Sequence, residues 1–299
     1  MLSGYVICAT LGDRPAALDY AIKRASRIYS VVVPALLLTY AVDLLILRLN
    51  LPVDVPEYEL RRPVLYGGFA LLFAGDFWNL VVPAFSNVPF WSLNYEVWYY
   101  VAFGILVFAR GVTRVVLLTL VLALMGPKLW VLFPIWLGGA AVYTLQRRAL
   151  LRRAAARAVV ALALLLAALY FVLGIGPLVD EAAAPVVLSI VPFPLRFSQW
   201  FLGDYVLGML TMALVYALGT AEIVLPKIVQ LAATSLAKVS FSLYVVHHPL
   251  LQFFGALLPG YGPAATALAL GGSLGFGAIF EPQRTRLRRM LAAATTRLA

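Results

Sequence analysis

The sequence has very little cysteine and little charge, and it shows no soluble segment. Among its 299 residues there is one cysteine, Cys8, so no disulfide can form within the chain. Charged residues make up only 12% of the chain, and no long linker or soluble domain separates its apolar stretches. The opening MLSGYVICATLGDRP has no basic n-region and only a short apolar run, which excludes a typical signal peptide. The chain is therefore not a disulfide-stapled scaffold.

Apolar residues dominate instead. They make up 63% of the chain, against about 45–50% in soluble domains, and the mean hydropathy is +0.94. They form long runs, which predicts an integral membrane protein. The net charge of +10 would suggest nucleic acid in a soluble protein. Here the basic residues cluster between apolar runs and no aromatic-basic surface module accompanies them, so we expect them to set membrane topology and expect no nucleic-acid partner.

The basic clusters predict which loops are cytoplasmic. By the positive-inside rule all of them belong on that side. If the apolar stretch at 64–82 crossed the membrane, the strongly basic loop 147–157 would lie outside. We therefore predict that 64–82 is re-entrant or interfacial, where protein or water can surround Gly67, Gly68 and Asp76. The basic loops in question are 13–27, 110–114, 147–157 and 284–297.

The predicted architecture is an all-α, polytopic transmembrane helical bundle. It has about eight full spans preceded by a partial helix at 1–11, which is too short to cross. The acidic pair Asp180–Glu181 falls in an outer loop, and the C-terminus is cytoplasmic. We expect a single membrane domain over 1–290 and a cytoplasmic tail at 291–299. The predicted spans are 28–49, 90–109, 113–127, 129–146, 157–176, 197–218, 238–258 and 263–280.

A glutamate lies inside the apolar segment PFWSLNYEVWYYVAF, residues 89–103. Glu96 and Ser92 are four residues apart, so they share one helix face, which should point into the bundle. The aromatic residues around them, Trp91 included, also suit an interfacial belt. A structural ion pair or cap remains an alternative for Glu96.

Both histidines of the chain, His247 and His248, lie in SFSLYVVHHPLLQFF, residues 240–254. Helical spacing places Ser240, Tyr244 and His247 on one face. A satisfied core histidine is the alternative to a functional one. With no third histidine and no HExxH pattern, we predict no metal site.

A proline follows these histidines within the same predicted span. Pro249 has no backbone N–H, so it leaves the carbonyl of Val245 without its helical hydrogen bond and favours a kink.

Two arginines stand three residues apart in KRASRIYSVVVPAL, residues 23–36. Arg24 and Arg27 lie at the mouth of a span, where positive-inside anchoring is the simple interpretation. The functional interpretation is a phosphate clamp, because guanidinium groups hold phosphates bidentately. Asp43 and Asp204 are weaker candidates for intramembrane function.

Three elements then match one family in order. They are RASRIYSVVVP, FWSLNYEVWYY and SFSLYVVHHP, followed by EP and a basic tail. The chain resembles membrane acyltransferase family 3, the O-acetylases of bacterial surface polysaccharides, from residue 2 to about 290. Each motif alone is weak, whereas their order and spacing together are specific.

The resemblance implies an enzyme of the bacterial inner membrane. It would transfer an acyl group, acetyl by family default, from cytoplasmic acyl-CoA to a hydroxyl of a lipid-linked or surface glycan such as lipopolysaccharide. Acyl-CoA would be a co-substrate, no bound cofactor is expected, and membrane lipid would be the other partner. The residues that match the family's motifs are Glu96, Ser92 and His247 as catalytic candidates, Arg24 and Arg27 for acyl-CoA, and Trp91 and Tyr244 for the acceptor or for structure. Asp76 of the predicted re-entrant segment is a further candidate for the acceptor or for structure.

One departure from the family concerns its first helix. That helix carries an arginine and, some ten residues later, the histidine regarded as the base, and this chain starts after it. We therefore expect an N-terminally truncated member of a ten-span family. Two alternatives stay open, namely an inactive remnant and a transporter or proton-coupled carrier.

Overall fold

The protein is built almost entirely of α-helices. The computed structural model describes residues 1–12, 16–53, 60–148, 151–191 and 194–298. Within those ranges there is no β-strand, only an isolated bridge between Ala84 and Asn87. Six helices in the described part of the chain are long and apolar enough to cross a membrane. The predicted all-α transmembrane bundle is confirmed.

The helices are named here in chain order. The first seven are α1 (Leu2–Ala9), α2 (Ala17–Arg48), α3 (Pro63–Leu72), α4 (Trp91–Phe108), α5 (Gly111–Met125), α6 (Pro127–Trp130) and α7 (Phe133–Gln146). The others are α8 (Arg153–Val172), α9 (Ile175–Ile190), α10 (Phe201–Ala221), α11 (Lys227–Leu257), α12 (Gly262–Phe280) and α13 (Gln283–Leu298). Short 3-10 turns occupy Val88–Phe90 and Arg196–Ser198.

Six of the eight predicted spans coincide with the long apolar helices. The other two correspond to shorter helices, α4 with 18 residues and α5 with 15. At 1.5 Å per residue they reach only about 27 and 22 Å, against about 30 Å of hydrocarbon. The partial helix predicted at the start is α1, which has eight residues.

Two predicted loops are partly helical. In the basic loop 13–27, Lys23, Arg24 and Arg27 belong to α2, which begins at Ala17. Asp19 stands in the first turn of that helix, where a negative charge is favourable, and it pairs with Lys23 at 2.6 Å. These local interactions extend the helix beyond its apolar part. Arg14 lies outside the described residues.

The acidic pair predicted in an outer loop is also helical. Asp180 lies in α9, is buried, and its carboxylate accepts a hydrogen bond from the backbone N–H of Gly203 at 3.1 Å. The charge alone suggested a solvated loop, whereas the carboxylate is used inside the protein.

The chain divides into two compact units. The first comprises Met1–Pro15, Phe77–Asn79 and Gly111–Leu225. In it, α1 packs so closely on α7 that a Cβ on Gly139 would lie 2.0 Å from the Met1 carbonyl oxygen. Small residues allow such close approach of backbones in membrane bundles.

The second unit comprises Ala16–Asp76, Leu80–Arg110 and Pro226–Ala299. Its central helix is α2, which contacts α3, α4, α11, α12 and α13. The candidate site residues named from the sequence belong to this unit, except Asp204, which lies in the first unit. The single domain over 1–290 stays a prediction.

The predicted re-entrant segment enters and leaves at the same end of α2. At its entry the hydroxyl of Tyr40 is 3.5 Å from the carbonyl oxygen of Leu60, and at its exit the ring of Tyr40 packs on Phe85 at 5.3 Å. At its far point the hydroxyl of Tyr29 donates to the Leu71 carbonyl at 2.9 Å. Tyr29 and Tyr40 are separated by about 16 Å of helical rise, so the segment descends beside α2 and returns.

Protein groups satisfy the polar atoms at the far end of this segment. Phe73 turns the chain in the left-handed region, with φ 52°, and its carbonyl accepts from Trp98 Nε1 at 3.1 Å. Asp76 is only 5% exposed and accepts from Asn94 Nδ2 at 2.5 Å. Irregular backbone at membrane depth requires such protein partners.

Candidate functional site

Two hydroxyl groups meet between the start of α4 and the middle of α11. Ser92 Oγ lies 2.6 Å from the hydroxyl of Tyr244, and both also reach the carbonyl of Pro89, at 3.3 and 3.0 Å. A carbonyl can only accept, so one hydroxyl donates to Pro89 and the other donates to its partner hydroxyl. The structure thus brings together two residues that the sequence placed in different motifs.

The imidazole of His247 is oriented by its own helix. Its Nδ1 lies 2.7 Å from the backbone carbonyl oxygen of Tyr244, and the two rings are 5.8 Å apart. Because a carbonyl only accepts, the neutral ring carries its proton on Nδ1. Nε2 then keeps a lone pair, which is the form that a general base requires.

Glu96 is bound by a neighbouring phenol. The hydroxyl of Tyr100, one turn further along α4, donates to the Glu96 carboxylate. The backbone carbonyl of Tyr100 in turn accepts from the hydroxyl of Tyr20 at 2.9 Å. Glu96 is also close enough to Tyr244 for the two to interact electrostatically. The carboxylate therefore belongs to the surroundings of the hydroxyl pair.

Three other residues named from the sequence make packing or local contacts. The ring of Trp91 meets Tyr95 edge-on at 5.1 Å. The carboxylate of Asp76, in the re-entrant segment, accepts a hydrogen bond from the Asn94 side chain. The hydroxyl of Ser240 donates within its own helix, to the carbonyl of Ala237 at 3.1 Å.

The carbonyl that Pro249 leaves without a helical donor has a side-chain partner. Asn87 Nδ2 donates to the Val245 carbonyl oxygen at 2.7 Å, and Asn87 is 1% exposed. The residue before Asn87 is held by Asp43. The Asp43 carboxylate accepts hydrogen bonds from the backbone N–H of Ser86 at 3.0 Å and from the Ser86 hydroxyl at 2.5 Å. These bonds fix α11 just where Tyr244 begins the site.

A basic cleft of about 500 Å³ lies near the N-terminal part of α2. Three of its side chains are cationic and one is a carboxylate, a formal excess of two positive charges. The guanidinium of Arg27 lies 6.0 Å from the Phe241 ring within it. The lining residues are Arg27, Thr234, Ala237, Lys238, Phe241, Glu281, Pro282 and Arg284.

Arg24 lies one turn before Arg27 on α2. Its guanidinium is 5.8 Å from the ring of Tyr20, and it interacts electrostatically with Arg27 and Arg284. The predicted arginine pair is therefore part of a larger basic cluster. Because these cations repel one another, an anionic ligand that neutralises them binds favourably there.

Sequence reasoning missed the basic partners Lys238 and Arg284. The only signal was the EP dipeptide followed by a basic tail. Glu281 of that dipeptide accepts from the backbone N–H and the hydroxyl of Ser242, at 3.2 and 3.0 Å. This contact ties the start of the tail to α11 and holds Arg284 beside the cleft.

The cleft and the histidine are connected by one helix. Lys238 lines the cleft, and His247 follows nine residues later on α11. Nine residues correspond to about 14 Å of helical rise. A ligand that holds an anionic group in the cleft and reacts beside His247 must be elongated.

Comparison with known proteins identifies a family. A family model described as an acyltransferase domain, of acyltransferase family 3, matches residues 1–281. No curated protein and no solved structure matches the chain. The matched range includes the first compact unit, most of the second, and every site residue predicted from the sequence, whereas Arg284 of the cleft lies just beyond it.

Proposed function

We propose that this chain, which belongs to the acyltransferase family 3 domain proteins, transfers an acyl group from acyl-CoA to a hydroxyl of a cell-surface glycan or glycolipid. Its family makes it a membrane acyltransferase, and the helices described above carry it through the membrane. The donor, the acceptor and the roles of the residues are the proposal. Acetyl is the acyl group that the resemblance favours.

The basic cleft supports acyl-CoA as the donor. CoA ends in a nucleotide with three phosphate groups, and arginine is the side chain best suited to hold phosphates, by charge and by bidentate hydrogen bonds. Arg27, Lys238 and Arg284 present three cations to one cleft. The pantetheine arm of CoA is long and flexible, so it can extend the thioester along α11.

The observation that carries the proposal is the position of His247 about 14 Å along α11 from Lys238. A donor held by its phosphates in the cleft would place its thioester near the imidazole. His247 Nε2 then removes the proton from the acceptor hydroxyl, whose oxygen attacks the thioester carbonyl. The tetrahedral intermediate collapses, the C–S bond breaks, and the CoA sulfur takes the proton from the imidazolium.

The hydroxyl pair has a different role in this scheme. One proton of Ser92 or Tyr244 is directed at the other hydroxyl, and on substrate binding it can turn to the oxyanion of the intermediate. Ser92 is bonded to a phenol and a carbonyl, and neither activates a serine as a nucleophile. We therefore favour direct transfer over an acyl-serine intermediate. Glu96 stabilises the imidazolium or holds the acceptor sugar.

The cleft is tested by comparing two donors. Acetyl-CoA and acetyl-pantetheine share a thioester, and only the first has phosphates. The double substitution Arg27→Gln/Lys238→Gln should weaken binding of acetyl-CoA at least about tenfold, because each lost charge-assisted contact is worth about 1.5–3 kcal/mol. Binding of acetyl-pantetheine should not change.

The matched control is Lys227→Gln, which removes a lysine from the same helix outside the cleft. It should leave both donors unaffected. Calorimetric titration of the purified protein in detergent measures binding without requiring turnover. Equal loss for both donors, or equal loss in the control, would contradict the assignment of the cleft.

A further inference from the structure

A second concave surface lies along α3, away from the site just described. It is a groove of about 660 Å³ whose walls are apolar except at one end, where Arg61 and Arg62 stand. Both arginines are exposed. The lining residues are Arg61, Arg62, Pro63, Val64, Leu65, Gly68, Phe69, Leu72 and Ala74.

The level of Arg61 and Arg62 in the membrane follows from their position beside α2. Leu60, which precedes them, is 3.5 Å from the hydroxyl of Tyr40, and Tyr40 follows Arg27 by 13 residues, or about 20 Å of helical rise. The hydrocarbon core is about 30 Å thick. With Arg27 at one interface, Arg61 and Arg62 start below the other. An arginine side chain at such a level is long enough to extend its guanidinium group toward the interface, where the phosphates of lipids lie.

The length of α3, which forms the wall of the groove, suits a hydrocarbon chain. Helix α3 has ten residues, which gives a length of about 15 Å, close to half of the hydrocarbon core. Val64 and Leu72, at its two ends, are 88% and 68% exposed. A Cβ added to Gly68 would meet no atom within 4 Å, so the groove is open along its middle.

We propose that this groove binds one membrane lipid, with its anionic phosphate held by Arg61 and Arg62 and its hydrocarbon chain lying along α3. The charge at the mouth complements a phosphate, which arginine binds bidentately. The apolar walls complement the chain and give no contact to a free phosphate ion. The inference does not depend on the proposed acyl transfer, since it concerns lipid binding alone.

The test uses three probes that separate head from chain. Purified protein in neutral detergent is mixed with dodecyl phosphate, dodecanol or inorganic phosphate, and bound ligand is counted by native mass spectrometry. Dodecyl phosphate should bind as a single molecule, at least about tenfold more tightly than dodecanol, because a charge-assisted contact contributes about 1.5–3 kcal/mol. Inorganic phosphate should not bind. Equal binding of dodecanol would overturn the phosphate site, and equal binding of inorganic phosphate would overturn the chain site.

Two pairs of variants locate the binding. Arg61→Gln/Arg62→Gln should abolish the preference for dodecyl phosphate over dodecanol, whereas Arg48→Gln should not, because Arg48 is exposed at the end of α2 and does not line the groove. Gly68→Leu fills the groove and should prevent binding.

The control for Gly68→Leu is Gly271→Leu, the same substitution at a glycine of α12 that also has no atom within 4 Å of an added Cβ. It should bind the lipid normally. Loss of binding with Arg48→Gln or Gly271→Leu equal to that of the groove variants would refute the location.

Discussion

The hydrogen bond between Asn87 and the Val245 carbonyl can be tested by a double-mutant cycle. In a regular helix the N–H of residue 249 would donate to the carbonyl of Val245, but proline has no N–H. Asn87 Nδ2 donates to that carbonyl instead, at 2.7 Å. Asn87→Leu removes that donor and puts an apolar side chain of similar size at the same buried position. A buried carbonyl left without a partner costs about 1–3 kcal/mol, so the free energy of unfolding should fall by about that amount.

The second arm restores the missing donor. Pro249→Ala gives residue 249 an N–H that can reach the Val245 carbonyl in a regular helix. In that background Asn87→Leu should cost little, so the coupling energy between the two substitutions should be about 1 kcal/mol or more. Unfolding in mixed detergent and SDS micelles measures all four proteins.

A surface asparagine provides the control for this cycle. Asn79 is exposed, so Asn79→Leu should change the free energy of unfolding by no more than about 0.5 kcal/mol. If Asn87→Leu costs the same with and without Pro249, the bond does not compensate for the proline, and the reasoning about the kink fails.

Three further predictions concern the re-entrant segment and the carboxylate. Val88→Cys in a Cys8→Ser background should be labelled from outside the cell, and exclusively cytoplasmic labelling would contradict the topology. Asn94→Leu removes the donor to buried Asp76 and should lower the free energy of unfolding by about 1–3 kcal/mol; an unchanged SDS midpoint would show that the contact is dispensable. Glu96→Gln keeps an acceptor oxygen but removes the charge that stabilises the imidazolium or holds the acceptor sugar. It should slow acyl transfer at least about tenfold with normal expression, because a hydrogen bond to a charged group contributes about 1.5–3 kcal/mol; full activity would remove Glu96 from the mechanism.

Much of the fold is predictable because a bilayer imposes few solutions. Apolar run length identifies the long helices, and the charge of the loops identifies 64–82 as re-entrant. The boundaries are less predictable. Lys23 and Arg24 belong to a helix because Asp19, in its first turn, extends the helix beyond the apolar run. A hydropathy pattern indicates only where the apolar run begins.

The site was only partly predictable for a similar reason. Helical spacing places Tyr244 and His247 on one face, and Pro249 predicts an unsatisfied carbonyl on Val245. No local pattern shows that Asn87, 158 residues away, supplies the donor. Long-range pairs of this kind depend on how the helices pack against one another. The periodicity of residues within one helix does not predict that packing.

The basic cleft shows the same limit. Arg27 was expected at a phosphate site from its position at the mouth of a span. Lys238 and Arg284 join it only because α11 and the start of α13 meet there, through the bonds that Glu281 accepts from Ser242.

The most direct test of the central claim follows labelled acetyl groups from acetyl-CoA. Membranes containing the wild-type chain are incubated with radiolabelled acetyl-CoA, and label is counted in the glycan and lipid fractions. The account predicts transfer by the wild type and a loss of about 10²–10⁴-fold in His247→Ala, the contribution of a general base. Absence of transfer by the wild type, or undiminished transfer by His247→Ala, would contradict it.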